Sequence, residues 1–289
     1  MTITSVDDAG TDPIWGSDQL DLDAYLRRID YDGPRSATLD TLRAVHRGHL
    51  ATIGFIADGI DRDQLPIDVK SVQDKLVHGA EGGSCYEHNL LFAAVLTRLG
   101  FTVTRHLARV RRGNTTDIRF RSHTALLVGA EGGERYLADV GFGDEGPLEP
   151  IPYRHGATLE VGGWRWRLDD DGEEWVLRSM HADGWFDVYS FTTEAQYPID
   201  FEVAAHFSMT SPRSVFIGHV VAMRVGPDER LVLRDRILET RRPDFDDERR
   251  LIAVDEIVPT LRDVLGLTIP DEQAAKITAH LHRDRSARQ

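Results

Sequence analysis

The sequence predicts an α+β protein: a helical bundle, then an antiparallel β-barrel, then a mixed α/β segment. Three observations carry that expectation. Apolar residues recur at helical spacing through the first hundred positions. At Phe101 the pattern changes to alternation with β-branched residues and turn signals, and four of the five tryptophans lie beyond that point. The last third returns to helical spacing after one hairpin. Consecutive helices followed by consecutive strands argue for α+β rather than an alternating parallel sheet. The expected divisions are residues 1–100, 101–205 and 206–289.

Residues 1–16 read as a loose lead-in. Residues 20–30 and 38–53 have apolar positions at helical spacing, and Gly54 stops the second helix. His46 and His49 share one face of it, but no third ligand is near, so satisfied or solvated histidines explain them better than a metal. Residues 69–78 form a short helix. Residues 85–99 form another, which is apolar nearly all round and therefore buried, with Gly100 as its stop. Phe101–Arg111 is extended, and 114–117 is a turn. His123–Val128 and Arg135–Val140 are strands joined by a Gly-rich turn. Trp164–Leu168 and Trp175–Arg178 flank the acidic turn Asp169-Asp170-Asp171-Gly172, and Trp185–Phe191 adds a strand. A barrel closes such a set economically. Phe216–Val225 and Leu231–Leu238 make a hairpin across Gly226-Pro227-Asp228. Residues 247–265, interrupted by Pro259, and 271–282 read as helices, with a polar, frayed tail.

The chain has 289 residues, enough for a sizeable core and more than one domain. Its net charge of −14 disfavours nucleic acid and anionic membrane surfaces as partners. A single cysteine excludes an internal disulfide framework and fits a reducing, cytoplasmic compartment. The first residues, with Asp7, Asp8 and Asp12, do not read as a signal peptide, and no apolar run reaches the length of a membrane span.

That cysteine defines the candidate site. In Glu81-Gly82-Gly83-Ser84-Cys85-Tyr86-Glu87-His88-Asn89, Ser84 and Glu87 have capping-box spacing, so Cys85 opens the helix. Unpaired N–H groups and the positive dipole end favour a thiolate there. The bland reading is a small buried hydrophobe. A nucleophilic cysteine needs a base and a group that orients the base. If the hairpin turn centres on Glu131, His123 faces Asp139 across the two strands, with Cβ atoms about 5 Å apart. A turn centred on Gly132-Gly133 would break that match. Taken singly, His123 reads as a strand histidine and Asp139 as a turn carboxylate.

Gly82-Gly83-Ser84-Cys85-Tyr86-Glu87-His88-Asn89 resembles the Arg-Gly-Gly-x-Cys-x-Glu-x-Asn signature of arylamine N-acetyltransferases. The similarity continues through Leu99-Gly100-Phe101, Ala108-Arg109-Val110, the His123 strand and Asp139-Val140-Gly141-Phe142-Gly143. It ends near Ser208–Phe216, which is similar to that family's Ser-Thr-x-Pro-x-Ser-x-Phe segment. The resemblance implies a helical bundle with a cysteine-protease-like nucleophile helix, a β-barrel and a C-terminal α/β lid. It implies a Cys85–His123–Asp139 triad, and a pocket lined by Phe55, Val110, Phe142 and Phe216. It also implies acetyl-CoA as co-substrate, no metal, and an arylamine or hydrazine acceptor; it leaves a homo-oligomer open. The chain departs from the pattern in places. Ile53-Gly54-Phe55-Ile56-Ala57 stands for Ile-Pro-Phe-Glu-Asn, Glu81 for the arginine before Gly-Gly, and His206 for an asparagine.

The implied chemistry is ping-pong acetyl transfer through an acetyl-cysteine. CoA contacts are not read from a nucleotide-binding motif. Two other readings compete. One is a transglutaminase-like thiol amidase, distinguished by whether acetyl-CoA consumption depends on added amine. The other is a non-catalytic relative that binds acyl-CoA or aromatic ligands, distinguished by binding without thiol alkylation at neutral pH.

Overall fold

The structure, a computed structural model, describes residues 12–60, 66–114, 116–243 and 245–287. The lead-in at residues 1–11, with Asp7 and Asp8, lies outside the described residues.

Helices α1 (Leu22–Arg28), α2 (Leu39–Thr52) and α3 (Val69–Gln73) form as the periodicity predicts. Asp21, Thr38 and Asp68 cap them, each side chain accepting a backbone N–H of the first turn. The chain leaves α3 through a wide turn at Asp74–His78. Helix α4 (Cys85–Arg98) has Ser84 as N-cap, and the Glu87 carboxylate accepts the Ser84 N–H at 2.7 Å. Leu91 to Leu96 are free of solvent. Phe92 of α4 shares a core with Leu42 and Val45 of α2 and with Leu126, Val128 and Ala138 of the neighbouring sheet. Helix α4 is thus pinned between bundle and sheet.

The larger sheet is antiparallel and eight-stranded, in the order β5-β4-β3-β2-β9-β8-β7-β6. Its strands are β2 (Thr102–Val110), β3 (His123–Gly129), β4 (Arg135–Ala138), β5 (Ile151–Pro152), β6 (Ala157–Val161), β7 (Trp164–Asp170), β8 (Trp175–His181) and β9 (Gly184–Phe191). The edge strands β5 and β6 lie against each other, so the sheet nearly closes into a barrel. Ala108, Ala125, Leu127, Leu137, Trp166, Leu168, Leu177 and Tyr189 fill it.

The second sheet has the order β1-β10-β11-β12-β13, with β1 (Phe55–Asp58), β10 (Val220–Val225), β11 (Arg230–Arg234), β12 (Ile237–Arg241) and β13 (Glu248–Leu251). Helices α6 (Val254–Pro259) and α7 (Asp271–Ala287) pack on it through Ile257, Ile277 and Leu281, with Leu261 between them. Helix α5 (Pro198–Thr210) precedes it.

Several expectations are corrected. Residues 247–265 are not one helix: strand β13 comes first, and Pro259 closes α6 before a wide turn at Thr260–Val264. Leu231–Leu238 is two strands, because Asp235 adopts φ 52° and reverses the chain. The strand expected from Phe216 starts at Val220. Strands β1 and β6 and helix α5 were not anticipated. β1 matters most, since it carries Phe55 into the C-terminal sheet, opposite Met223.

Candidate active site

Four chain segments converge on Cys85. Helix α4 supplies Cys85 and, one turn later on the same face, Asn89. Strand β3 supplies His123 and Thr124, the loop after β4 supplies Asp139, and β1 supplies Phe55.

His123 Nε2 and Asp139 Oδ2 are 2.7 Å apart and buried. The sequence-based register is off by two residues, since Leu126 pairs with Ala138. Extending that ladder puts His123 opposite Gly141, and Asp139 reaches it diagonally. Because side chains alternate with period two, a two-residue shift keeps both on one face.

Asp139 is bound at both oxygens. Oδ1 accepts Asn89 Nδ2–H and the Gly141 N–H, each at 2.9 Å, while Oδ2 serves His123. Burial works to raise its pKa, but the His123 charge and these donors win and hold it below the ordinary carboxylate range. Asn89 also donates to the Thr124 carbonyl at 2.7 Å and accepts the Val140 N–H at 3.1 Å. Thr124 Oγ1 closes the knot on the Cys85 carbonyl at 3.2 Å. Asn89 and Thr124 were not assigned roles from sequence; the four-residue step from Cys85 to Asn89 is the signal that could have found them. Gly141 is where these elements touch. A Cβ there would stand 2.8 Å from the Cys85 carbonyl and 2.9 Å from Asn89 Nδ2.

Cys85 Sγ lies 3.7 Å from the Ser122 carbonyl. Its surroundings push the thiol well up. Burial dominates and Asp139 adds to it; Glu87 raises it further, against the N–H groups of Tyr86 and Cys85 that lower it. The helix-start N–H groups lower the pKa in the expected direction, but desolvation outweighs them. Glu81, which stands where the family pattern has an arginine, turns towards Gly79 and bridges by its backbone to Thr268. Glu87, in the first turn of α4, is paired with Lys75 at 2.6 Å.

Cys85, His123, Phe55, Val110, Phe142 and Phe216 all line one cavity of about 1460 Å³. Phe142 meets His123 edge-on at 4.9 Å, and Phe55 lies 6.4 Å from Phe216. At two departures from the family pattern the packing is apolar. Ile56 is buried in the C-terminal core beside Gly82. Gly54 sits under Leu267, whose Cδ2 would be 2.7 Å from a Cβ. Among the described residues no cluster of three His, Cys, Asp or Glu could hold a metal, and no helix is long and apolar enough to cross a membrane.

A family model described as N-acetyltransferase matches residues 38–274. An arylamine N-acetyltransferase of Mycobacterium tuberculosis is 36% identical over 259 residues, covering 87% of this chain and 91% of that protein. The solved arylamine N-acetyltransferase from Mycobacterium abscessus superposes with a TM-score of 0.87 at 36% identity, covering 93% of this chain and 97% of that one. The Mycobacterium marinum enzyme in complex with CoA superposes with a TM-score of 0.83 at 32% identity, covering 90% of this chain and 98% of that one. Fold, motif order and similarity over nearly the whole length agree, and the chain belongs to the arylamine N-acetyltransferase family.

Proposed function

We propose that this chain transfers an acetyl group from acetyl-CoA to the nitrogen of an arylamine or hydrazine, through an acetyl group held on Cys85. One observation carries this reading: the only thiol and the His123–Asp139 pair open onto a single large cavity with aromatic walls. Donor and acceptor can then use the same nucleophile in turn.

The proton positions follow from the hydrogen bonds. An ionised Asp139 only accepts, so His123 carries its proton on Nε2 and keeps the Nδ1 lone pair free. Nδ1 takes the Cys85 proton, and the sulfur attacks the thioester carbonyl carbon. The N–H groups at the α4 start stabilise the oxyanion. The intermediate collapses, the C–S bond to CoA breaks, and the imidazolium returns its proton to the leaving thiolate. An amine then attacks the acetyl-Cys85 carbonyl and gives its proton to Nδ1; the product amide leaves and the thiolate is restored. The acceptor must arrive unprotonated, which suits the weakly basic anilines and hydrazines.

The cavity also fits the phosphates of CoA. Eight arginines line it against four carboxylates, although the chain as a whole has 34 basic and 48 acidic residues. Among the described residues Arg119, Arg213, Arg234 and Arg250 have no carboxylate within ion-pair distance, so they face the cavity with charge to spare. The structure of a relative in complex with CoA supports this reading. Arg234→Ala with Arg250→Ala is expected to raise the KM for acetyl-CoA about tenfold with little change in kcat, and more at low than at high salt. An unchanged KM would remove these arginines from CoA recognition.

The reading as a whole is tested by intact mass. Acetyl-CoA should add one acetyl group, Cys85→Ala should abolish the adduct, and an aniline should discharge it. Acetyl-CoA turnover that ignores added amine would favour a thiol hydrolase. CoA binding without an adduct would favour a non-catalytic relative.

A further inference from the structure

Phe55 forms part of the wall of the cavity that holds Cys85. The residue before it is Gly54, where the family pattern has a proline. Proline fixes φ, whereas glycine leaves the backbone free to turn. Hydrogen bonds supply the missing constraint. The Gly54 carbonyl accepts the Gly83 N–H at 3.2 Å and His88 Nε2–H at 3.2 Å. The first donor belongs to the loop that leads into Cys85, the second to α4.

Behind His88 stands a buried row. His88 Nδ1 is 2.8 Å from His49 Nε2 of α2, and His49 Nδ1 is 2.8 Å from the Tyr25 hydroxyl of α1. Burial holds His88 down to about 4 and His49 well below the usual imidazole value, so both rings are neutral at pH 7. The proton positions follow from one end. A carbonyl only accepts, so His88 carries its proton on Nε2. Its Nδ1 must then accept, which puts the His49 proton on Nε2 as well. His49 Nδ1 accepts in turn, and Tyr25 donates. Each donor in the row meets one acceptor, so a single carbonyl at the entry to β1 sets the tautomers of both histidines. The His88 ring also lies within 6° of parallel to Phe55, with centroids 6.2 Å apart. His88 itself does not line the cavity, and it fills a position that the Cys-x-Glu-x-Asn signature leaves open.

We propose that His88, backed by His49 and Tyr25, is a positioning residue. By holding the Gly54 carbonyl and the Phe55 ring, it fixes the wall against which an aromatic acceptor packs. It thereby sets acceptor affinity and not the reactivity of Cys85. This role rests on the acetyl-transfer reading above.

The test follows acetyl-Cys85, formed with acetyl-CoA, as 4-chloroaniline discharges it. His88→Leu keeps the bulk and loses both hydrogen bonds. It should raise the aniline concentration for half-maximal discharge about tenfold, the low end of what one apolar pocket contact supplies. The limiting rate and the acetylation step should stay within about twofold, the pattern of lost binding and not of lost chemistry. His88→Gln offers one donor and one acceptor at its tip and should recover most of the loss. A purely structural role would lower the melting temperature and leave the aniline dependence in place, which would overturn the proposal. Failure of a folded His88→Leu to take up acetyl would overturn it too, by showing that His88 acts on Cys85. A parent that forms no adduct would remove the acetyl-transfer reading and this role with it; an adduct whose discharge ignores His88→Leu would remove this role alone. Two measurements need no variant. Nitrogen NMR of the parent should show His49 and His88 protonated at Nε2 only. Added 4-chloroacetanilide should shift the His88 signal through Phe55. A proton on Nδ1 of either ring, or an unmoved His88 signal, would overturn the proposal even if His88→Leu does not fold.

Discussion

Replacing Asp139 with asparagine is expected to leave the protein folded and to lower acetyl transfer about 10⁴-fold, the scale of the same exchange in a serine-protease triad. The hydrogen bonds around Asp139 give the reason. Oδ1 accepts from both Asn89 Nδ2 and the Gly141 N–H, so an asparagine there must keep its carbonyl oxygen on that side. Its amide then points at His123 Nε2, where the carboxylate had accepted a proton. Two donors cannot share that contact, so His123 must shift its proton to Nδ1. In the proposed mechanism Nδ1 receives the Cys85 proton, so the base is lost while every packing contact stays. Circular dichroism and thermal melting should match the parent. Retained transfer within tenfold would show that His123 does not depend on Asp139 for its tautomer.

The same geometry shows which parts of the fold the sequence made legible. The α4 start was legible because capping is local chemistry: Ser84, Cys85 and Glu87 fix it within one turn. The His123–Asp139 pairing survived a wrong register because parity, not register, decides which face a strand residue takes. What failed depended on distant partners. β1 is four residues with no alternation, buried throughout, and exists because β10 and Gly83 offer it backbone hydrogen bonds. β13 is rich in charge and wholly exposed; only its pairing with β12 makes it a strand. Helix α5 exposes Val203 while burying Phe201 and Ala205, which blurs its apolar stripe. Desolvation of Cys85 was equally invisible, because it is set by the surrounding core rather than by neighbours in sequence, as is the charge of Asp139 that adds to it.

That desolvation sets up the second large effect. His123→Ala is expected to move the alkylation profile of Cys85 above the ordinary thiol value of about 8.5 and to slow iodoacetamide at pH 7 about a hundredfold or more. The direction follows from the groups around the sulfur. Burial, Asp139 and Glu87 all favour the protonated thiol, and only the Tyr86 and Cys85 N–H groups oppose them. The balance lies well on the thiol side, so the α4 start cannot produce a reactive sulfur unaided. In the proposed mechanism the parent's proton need not leave for water: it crosses to His123, and the imidazolium so formed attracts the thiolate. The parent should therefore alkylate readily well below pH 8.5, and the profile should rise again only where His123 no longer holds the proton. Removing the imidazole leaves the raising groups opposed only by those two N–H groups. Glu81→Gln serves as the control, since that carboxylate turns away towards Gly79 and its removal should leave the profile in place. A His123→Ala protein with the parent's profile would show that the helix start and not His123 ionises Cys85; a parent profile centred near 8.5 would show that no ion pair forms.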